Sequence, residues 1–351
     1  ARAPLQESAL WSPKVESAIT ERLATIGADL EIWDTMRVGQ YARSRPRSRR
    51  VLFADDLFSR RYATMLDRIA NEPGKVSNPL GEFGKLLPGP ASRLGTKPWV
   101  YTPLLKLERK LVAAAEDAAP AHFDATLLVS ADETAELRDR SGNDTVRTLP
   151  PLLREPRARV RTFDGRPTFV FLGGLDFEPN RDGLSWFLGS CRDAVLAAVP
   201  EVEILVIGRG STTLPDEAQA WGNRVRGLGW VDDLDGILNS AAALISPLRI
   251  GSGVKIKVLE SLARGLPVVA TPDGVLGLGA GDADGCLVAT TPEDLAHAMR
   301  RAADPACNAE LSARSAATWR RRFSPEVVAA VYDEVLQLDP QRARAEGTSA
   351  A

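Results

Sequence analysis

Cysteine, histidine and long apolar runs are all scarce in this 351-residue chain, and each scarcity removes a class of function. The three cysteines, Cys191, Cys286 and Cys307, are odd in number, far apart and without C-x-x-C spacing. That excludes a disulfide framework and points to a reducing, cytoplasmic setting. The two histidines, His122 and His297, are solitary, and no H-E-x-x-H occurs, which argues against a transition-metal centre. No stretch of eighteen apolar residues exists, so no transmembrane helix is expected. A formal net charge of -2 gives the surface no global pull toward nucleic acid or anionic membrane. Neither a G-x-S-x-G elbow nor a G-K-[ST] loop is present, which counts against hydrolases and P-loop enzymes. "GGLDFEPN" and "GRGSTTLP" both lack the G-x-G-x-x-G spacing of a nicotinamide-binding Rossmann protein.

What is present is an ordinary globular composition, 44% hydrophobic and 26% charged, in a chain long enough for two cores. Apolar residues at Val15, Ile19, Leu23 and Ile26 predict a helix over 13–27, ended by Gly27. "ADLEIWDT", "VLFADD", "ATLLVS" and "TVRTL" predict strands, and helices are expected near 102–116 and 132–140. The Gly/Pro-rich span 71–98 reads as a long loop, and the Pro- and Arg-rich stretch up to 167 as a linker. From Thr168 the rhythm is regular: strands "TFVFLG", "VEILVIG", "VRGLGWV", "ALISPL", "PVVAT" and "GCLVA" alternate with helices, including one expected between "VEILVIG" and "VRGLGWV". Such alternation predicts a parallel sheet covered on both faces, a doubly wound α/β domain. The expected organisation is an N-terminal domain at 1–150, a linker at 151–167, a C-terminal domain at 168–338 and a disordered tail at 339–351.

The stretch "RIGSGVKIKVLESLARGLPVVATP", Arg249 to Pro272, follows a strand and opens a helix. Ligands of parallel sheets sit beyond the carboxyl ends of the strands, which is where this stretch falls. Gly251, Ser252 and Gly253 allow a tight turn with close backbone approach, and the helix N-terminus expected near Val254 offers free N–H groups to phosphate. Arg249, Lys255 and Lys257 add charge-assisted bonds. Glu260 lies seven residues beyond Gly253, about two turns on the same side of the helix, in reach of ribose hydroxyls. From spacing alone, a glycine turn followed by solvated lysines and a surface glutamate explains the stretch equally well.

Five motifs tip that balance: "FLGGLDFEPNRDGLSWF", "ILVIGRG", "VRGLGWVDDL", "LISPLRIGSGVKIKVLESLARGLPVVATPDGVLGL" and "TPEDLAHAM". In order and spacing, over roughly 168–336, they resemble the C-terminal domain of bacterial group 1 (family 4) glycosyltransferases, which are retaining and nucleotide-sugar dependent. "DTMRVGQY", "DDLFSRRY" and "LLVSADETAEL" carry a fainter likeness in the N-terminal half. The resemblance implies a GT-B architecture: two Rossmann-like domains facing a cleft, the N-terminal one for the acceptor and the C-terminal one for the donor. It implies a nucleotide-diphosphate sugar as donor substrate, a glycan or lipid-linked acceptor, and neither cofactor nor metal. Position by position, it places Glu260 on the ribose, Gly173 and Gly174 at the donor phosphates, Gly208 and Gly210 in the next glycine turn, and the Trp230–Val231 backbone at the base. Arg249 and Lys255 then serve as catalytic cations.

Four departures stand out. The first glutamate of the family's E-x7-E element falls at Ser252, its arginine after the first glycine at Gly174, its usual lysine near Asn180 has no clear match, and its histidine falls at Asp55. Asp55 is therefore expected to bind or deprotonate an acceptor hydroxyl. The N-terminal half shows fewer strands than the family's acceptor domain, so that domain is expected to be truncated. "DLD" at 233–235 and "DAD" at 282–284 imitate a metal-binding D-x-D, but Asp232 and Asp233 suit helix caps better. "RSRPRSRR" holds five arginines between 43 and 50 with no interleaved aromatics; an exposed, merely solvated connection is the favoured reading there, peripheral contact with anionic membrane the second, and nucleic acid is not expected. Two rival readings are a nucleotide-sugar epimerase and a non-catalytic glycan or sugar-nucleotide scaffold.

Overall fold

The computed structural model describes residues 3–42, 48–71, 98–155, 161–251 and 253–336. The expected loop at 72–97, the tail at 339–351, residues 43–47, part of the linker and Ser252 lie outside the described residues. The chain divides into two compact units, residues 1–150 with 331–351, and 151–330. Both are built on parallel sheets.

In the N-terminal unit the described strands are β1 (Leu30–Asp34), β2 (Arg49–Asp55), β3 (Ala125–Leu128) and β4 (Val146–Thr148), paired in parallel in that order. Strand alternation sorts their side chains to two faces. Leu52 and Ala54 join Trp33, Phe123 and Leu137 on one face, backed by Ile19 and Leu23 of the helix Pro13–Ile26. Val51, Ala125 and Leu127 fill the other, where Leu336, Val335 and Tyr332 pack on them. The C-terminal domain was expected to run to 338, yet from Val331 the chain packs with the N-terminal unit. The apolar stripe at 331, 332, 335 and 336 is the physical cause. Gly27 ends the second helix in the left-handed conformation (φ 62°), as its position after the last apolar residue predicts. A short helix at Leu5–Leu10 has no apolar periodicity that would announce it; the Glu108 carboxylate accepts from its Leu5 and Gln6 amides.

Among the described residues the C-terminal unit holds six parallel strands: β5 (Thr168–Leu172), β6 (Glu203–Ile207), β7 (Val225–Gly229), β8 (Ala243–Ser246), β9 (Val268–Ala270) and β10 (Cys286–Val288). Their spatial order is β10-β9-β8-β5-β6-β7. Phe169 and Phe171 of β5 enter one core and Val170 the other, so the central strand is buried on both faces. After β7 the chain returns past β5 to lay β8 on its far side, making a topological switch point between β5 and β8. The helix expected between β6 and β7 is instead a 3₁₀ run, Asp216–Arg224, interrupted at Gly222, whose φ of 58° and ψ of -133° are not helical. Helices Pro305–Arg322 and Pro325–Leu336 follow the last strand. Among the described residues no helix is long and apolar enough to cross a membrane.

Candidate functional site

The carboxyl ends of β5, β6 and β7 are laced together through glycines. Gly173 donates to Ile207 O (2.8 Å), Gly208 to Gly229 O (2.9 Å) and Leu175 to Arg209 O (2.8 Å). Gly208 has φ 139°, and a Cβ on it would lie 2.5 Å from Gly173 O, so a side chain there collides with backbone. Gly210 turns the chain back at φ 76°. These bonds hold the two glycine turns against each other at the carboxyl ends of the strands, the end at which ligands of parallel sheets bind.

The loop after β8 faces the same edge from across the switch point. Its start is pinned by Thr271, whose hydroxyl donates to Leu248 O. The helix Glu178–Ser190 packs so tightly on it that a Cβ at Gly183 would sit 2.7 Å from Pro247 O. This close approach sets the Arg249 guanidinium over the Trp186 ring, 5.5 Å from its centroid. Gly253 takes a left-handed conformation (φ 65°). The helix expected from Val254 begins at Ile256, because Lys255 stays extended and is the N-cap. Lys255 is buried and its ammonium folds back to donate to Gly253 O at 3.1 Å, so it does not reach outward as its sequence position predicts. A Cβ at Gly251 would lie 2.9 Å from that ammonium, a contact the flexible end of the lysine can relieve.

Lys257 extends toward β5. Its Nζ donates to Asn180 Oδ1 at 2.9 Å and lies 4.8 Å from the Phe171 ring centroid. Burial first, and the charge of Lys255 second, push its pKa down to about 7. Glu260, one turn further along, is half-buried; burial raises its pKa, Arg264 opposes that and Asp235 adds to it. Arg264 donates to Glu260 O (2.9 Å) and pairs with Asp235 through Nε (2.8 Å) and a terminal nitrogen (2.6 Å), fixing the helix that carries Glu260. Replacing Arg264 by Met is expected to raise the Glu260 pKa further, since the one neighbour that lowers it is removed; carboxyl ¹³C titration measures this.

Trp230 follows β7 and is 87% exposed, while Val231 is half-buried against the core that also holds Leu228. Both acidic pairs that imitate a D-x-D are committed elsewhere. Asp233 caps the helix Leu234–Ser240 by accepting from Gly236 N (2.9 Å), and Asp235 holds Arg264. Asp282 meets Arg301, and Asp284 accepts from Thr318 and Arg321.

In the N-terminal unit, β1 and β2 each end at or beside a residue with unusual backbone. Thr35, just after β1, and Asp55, the last residue of β2, both have φ 69°, a region that strains a β-branched residue such as threonine and that aspartate tolerates better. Asp55 is exposed, and burial of its surroundings, then Asp56, raise its pKa, with Arg61 opposing. A pocket beside the end of β1 is lined by Gln6, Glu7, Thr35, Arg37, Phe58 and Glu116. Phe58 is flanked by the guanidinium groups of Arg37 and Arg61 at 5.4 and 4.4 Å. The arginine patch at 43–50 is corrected in its described part. Arg49 and Arg50 belong to β2, are half-buried, and donate to the Leu336, Val335 and Ala42 carbonyls.

The fold thus brings Gly173, Gly174, Gly208, Gly210, Arg249, Gly251, Gly253, Val254, Lys255, Lys257 and Glu260 to one end of the C-terminal sheet, and sets Asp55 on the other unit. Sequence reasoning passed over Asn180, Trp186 and the Arg264–Asp235 pair. Asn180's place in the first turn of the helix after β5 was the available signal.

Residues 166–304 match the model of a family described as glycosyl transferases group 1. Over 115 residues the chain is 36% identical to the phosphatidyl-myo-inositol mannosyltransferase of Mycolicibacterium smegmatis, covering 31% of this chain and 29% of that protein. The chain matches about a third of the length of the curated relatives, 33% and 29%. Among solved structures, sucrose-phosphate synthase from Thermosynechococcus elongatus is similar with a TM-score of 0.67 at 18% identity, over 95% of this chain and 78% of that one. Anabaena HepE, solved in complex with UDP, is similar with a TM-score of 0.62 at 12% identity, over 92% and 82%. At such identities the likeness shows the fold, which is GT-B: two Rossmann-like parallel-sheet domains.

Proposed function

We propose that this chain is a glycosyltransferase of the group 1 kind, whose C-terminal unit binds a nucleotide-diphosphate sugar. The sugar passes with retention of configuration to a glycan, lipid-linked or other glycoconjugate acceptor held by the N-terminal unit. The observation that carries this is a single edge. The glycine turns after β5 and β6 and the basic loop after β8, which leads into the helix carrying Glu260, all follow the carboxyl ends of parallel strands beside the switch point of the segment that matches the family model. Glycine-turn amides and the helix N-terminus meet the diphosphate, Glu260 accepts from the ribose hydroxyls, and the backbone at Trp230 and Val231 meets the base. As the glycosidic bond breaks, charge grows on the leaving diphosphate, and preoriented N–H groups and Arg249 stabilise it without reorganising. The proposed chemistry includes no metal, so transfer should persist in EDTA. Membrane contact is left out of it: Arg49 and Arg50, the arginines of 43–50 among the described residues, donate to carbonyls of the same unit.

Asp55 is proposed to orient or deprotonate the acceptor hydroxyl from the end of β2. Asp55→Asn should lower kcat by roughly a hundredfold or more, the usual worth of a positioned base, with the KM for donor within about twofold. An unchanged kcat removes Asp55 from the reaction.

Incubation with radiolabelled UDP-, GDP-, ADP- and dTDP-sugars tests the whole reading. Sugar transfer, or slow donor hydrolysis without acceptor, is the expected result, with the product anomer read by NMR. Epimerised sugar-nucleotide would identify an epimerase, and binding without turnover a scaffold. The changed residues at Ser252 and Asp55 give the scaffold its one specific support.

A further inference from the structure

The loop after β5 carries no cation in its glycine turn: Gly173 and Gly174 are followed by Leu175, Asp176 and Phe177. An ammonium arrives there from the other side of the switch point. Asn180, in the first turn of the helix Glu178–Ser190, is clamped at both ends of its amide. Its Nδ2 donates to Gly174 O at 3.0 Å, and its Oδ1 accepts from Lys257 Nζ at 2.9 Å. The amide orientation follows from chemistry, since a carbonyl can only accept and an ammonium can only donate. Gly173 belongs to the same clamp, because a Cβ there would lie 2.7 Å from Asn180 Nδ2.

The ammonium has three donors, and Asn180 takes one. Among the described residues no carboxylate pairs with Lys257. Its surroundings instead add positive charge: Lys255 two residues away, and the N-terminal end of its own helix, which carries partial positive charge. A half-buried cation placed among like charges is poorly placed as a structural device. It becomes favourable only when an anion arrives.

We propose that Lys257 is the cation that meets the donor diphosphate, and that Asn180 is the positioning residue that aims it. This deepens the nucleotide-sugar reading and rests on it. One consequence separates Lys257 from any other basic residue of the loop. A lysine partly neutral near pH 7 must gain a proton when the diphosphate binds, because the anion favours the ammonium form. Binding is then fullest below pH 7 and weakens as pH rises through 7, by up to about tenfold per unit. An arginine in its place binds without that proton, being charged throughout.

The test is calorimetric titration of the full chain with UDP, GDP, ADP and dTDP and with the corresponding nucleosides, from pH 7 to 9. Over this range a terminal phosphate, with a pKa of about 6, is already ionised. Buffers of different ionisation enthalpy report the protons exchanged, and thermal unfolding verifies that each variant is folded. For the preferred nucleotide, the wild type should take up a fraction of a proton approaching one at pH 8. Lys257→Met should lose roughly tenfold or more in diphosphate affinity at pH 7, with the nucleoside unaffected. Lys257→Arg should keep diphosphate binding but lose the proton uptake and the pH slope. Asn180→Ala should weaken the diphosphate alone, by a smaller factor. If the wild type prefers diphosphate to nucleoside and Lys257→Met leaves that preference and the proton uptake intact, the assignment of Lys257 is wrong while the donor site stands. Unchanged binding in Asn180→Ala removes the positioning role. If no diphosphate is preferred over its nucleoside, both the assignment and the nucleotide-sugar reading fall.

Discussion

Glu260→Ala is expected to cost about 1–3 kcal/mol of nucleotide affinity, the worth of hydrogen bonds to a charged group, or roughly five- to 150-fold in Kd. The carboxylate is half-buried and its helix is held in place by Arg264 through Asp235, so the loss reports ligand contacts and not a collapsing helix. The proposed contact to ribose predicts that the nucleoside loses as much as the nucleoside diphosphate. Glu260→Gln, which keeps the shape and loses the charge, should fall between wild type and alanine. Titration calorimetry of the three proteins decides it; equal affinities would remove Glu260 from the site.

Gly208→Ala is expected to have the larger structural effect. The added methyl would lie 2.5 and 2.6 Å from the Gly173 carbonyl and 3.0 Å from the Gly174 nitrogen. All three are backbone atoms, so no side chain can rotate out of the way, and φ 139° strains any residue with a Cβ. The loops after β5 and β6 must separate, which breaks the bonds from Gly173 to Ile207 and from Gly208 to Gly229. We expect about 1–3 kcal/mol of lost stability, seen in thermal unfolding, and nucleotide binding reduced well beyond tenfold. Gly27→Ala is the control: its φ is also positive but nothing lies within 4 Å of a Cβ there. It should show only the modest backbone cost and leave nucleotide binding unchanged.

Much of this was legible in the chain itself. Short apolar runs punctuated by Gly and Pro located the interior strands β5, β6, β8 and β9 closely, because strands buried on both faces must be continuously apolar. Gly27 was readable as a helix end for a local reason: its φ of 62° favours glycine. The failures have a common cause as well. The 3₁₀ run at Asp216–Arg224 has helical composition, but Gly222 breaks it, and Trp221 is drawn into the core beside Phe187, neither visible as a period. The end of the C-terminal unit was misplaced because the helix Pro325–Leu336 is continuous, and a helix does not announce which core its last turns join.

Within the site, residue types were easier to find than their directions. Lys255 and Lys257 look equivalent in sequence, both two-residue neighbours in a basic loop. Folding turns one back onto Gly253 O and sends the other across to Asn180. That difference depends on where an extended N-cap at Lys255 starts the helix, a matter of one or two residues. Asn180 was invisible as a partner because the residue it meets lies 77 positions away in the chain.

The nucleotide is proposed to bind at the carboxyl ends of β5, β6 and β8 in the C-terminal unit. Hydrogen–deuterium exchange of the full chain, with and without the preferred nucleoside diphosphate, locates it. Protection is expected in the segments 173–180, 208–212, 229–231 and 249–260, with the strands of the N-terminal unit unaffected. Protection confined to the N-terminal unit, or none in those four segments at saturating nucleotide, would contradict that placement.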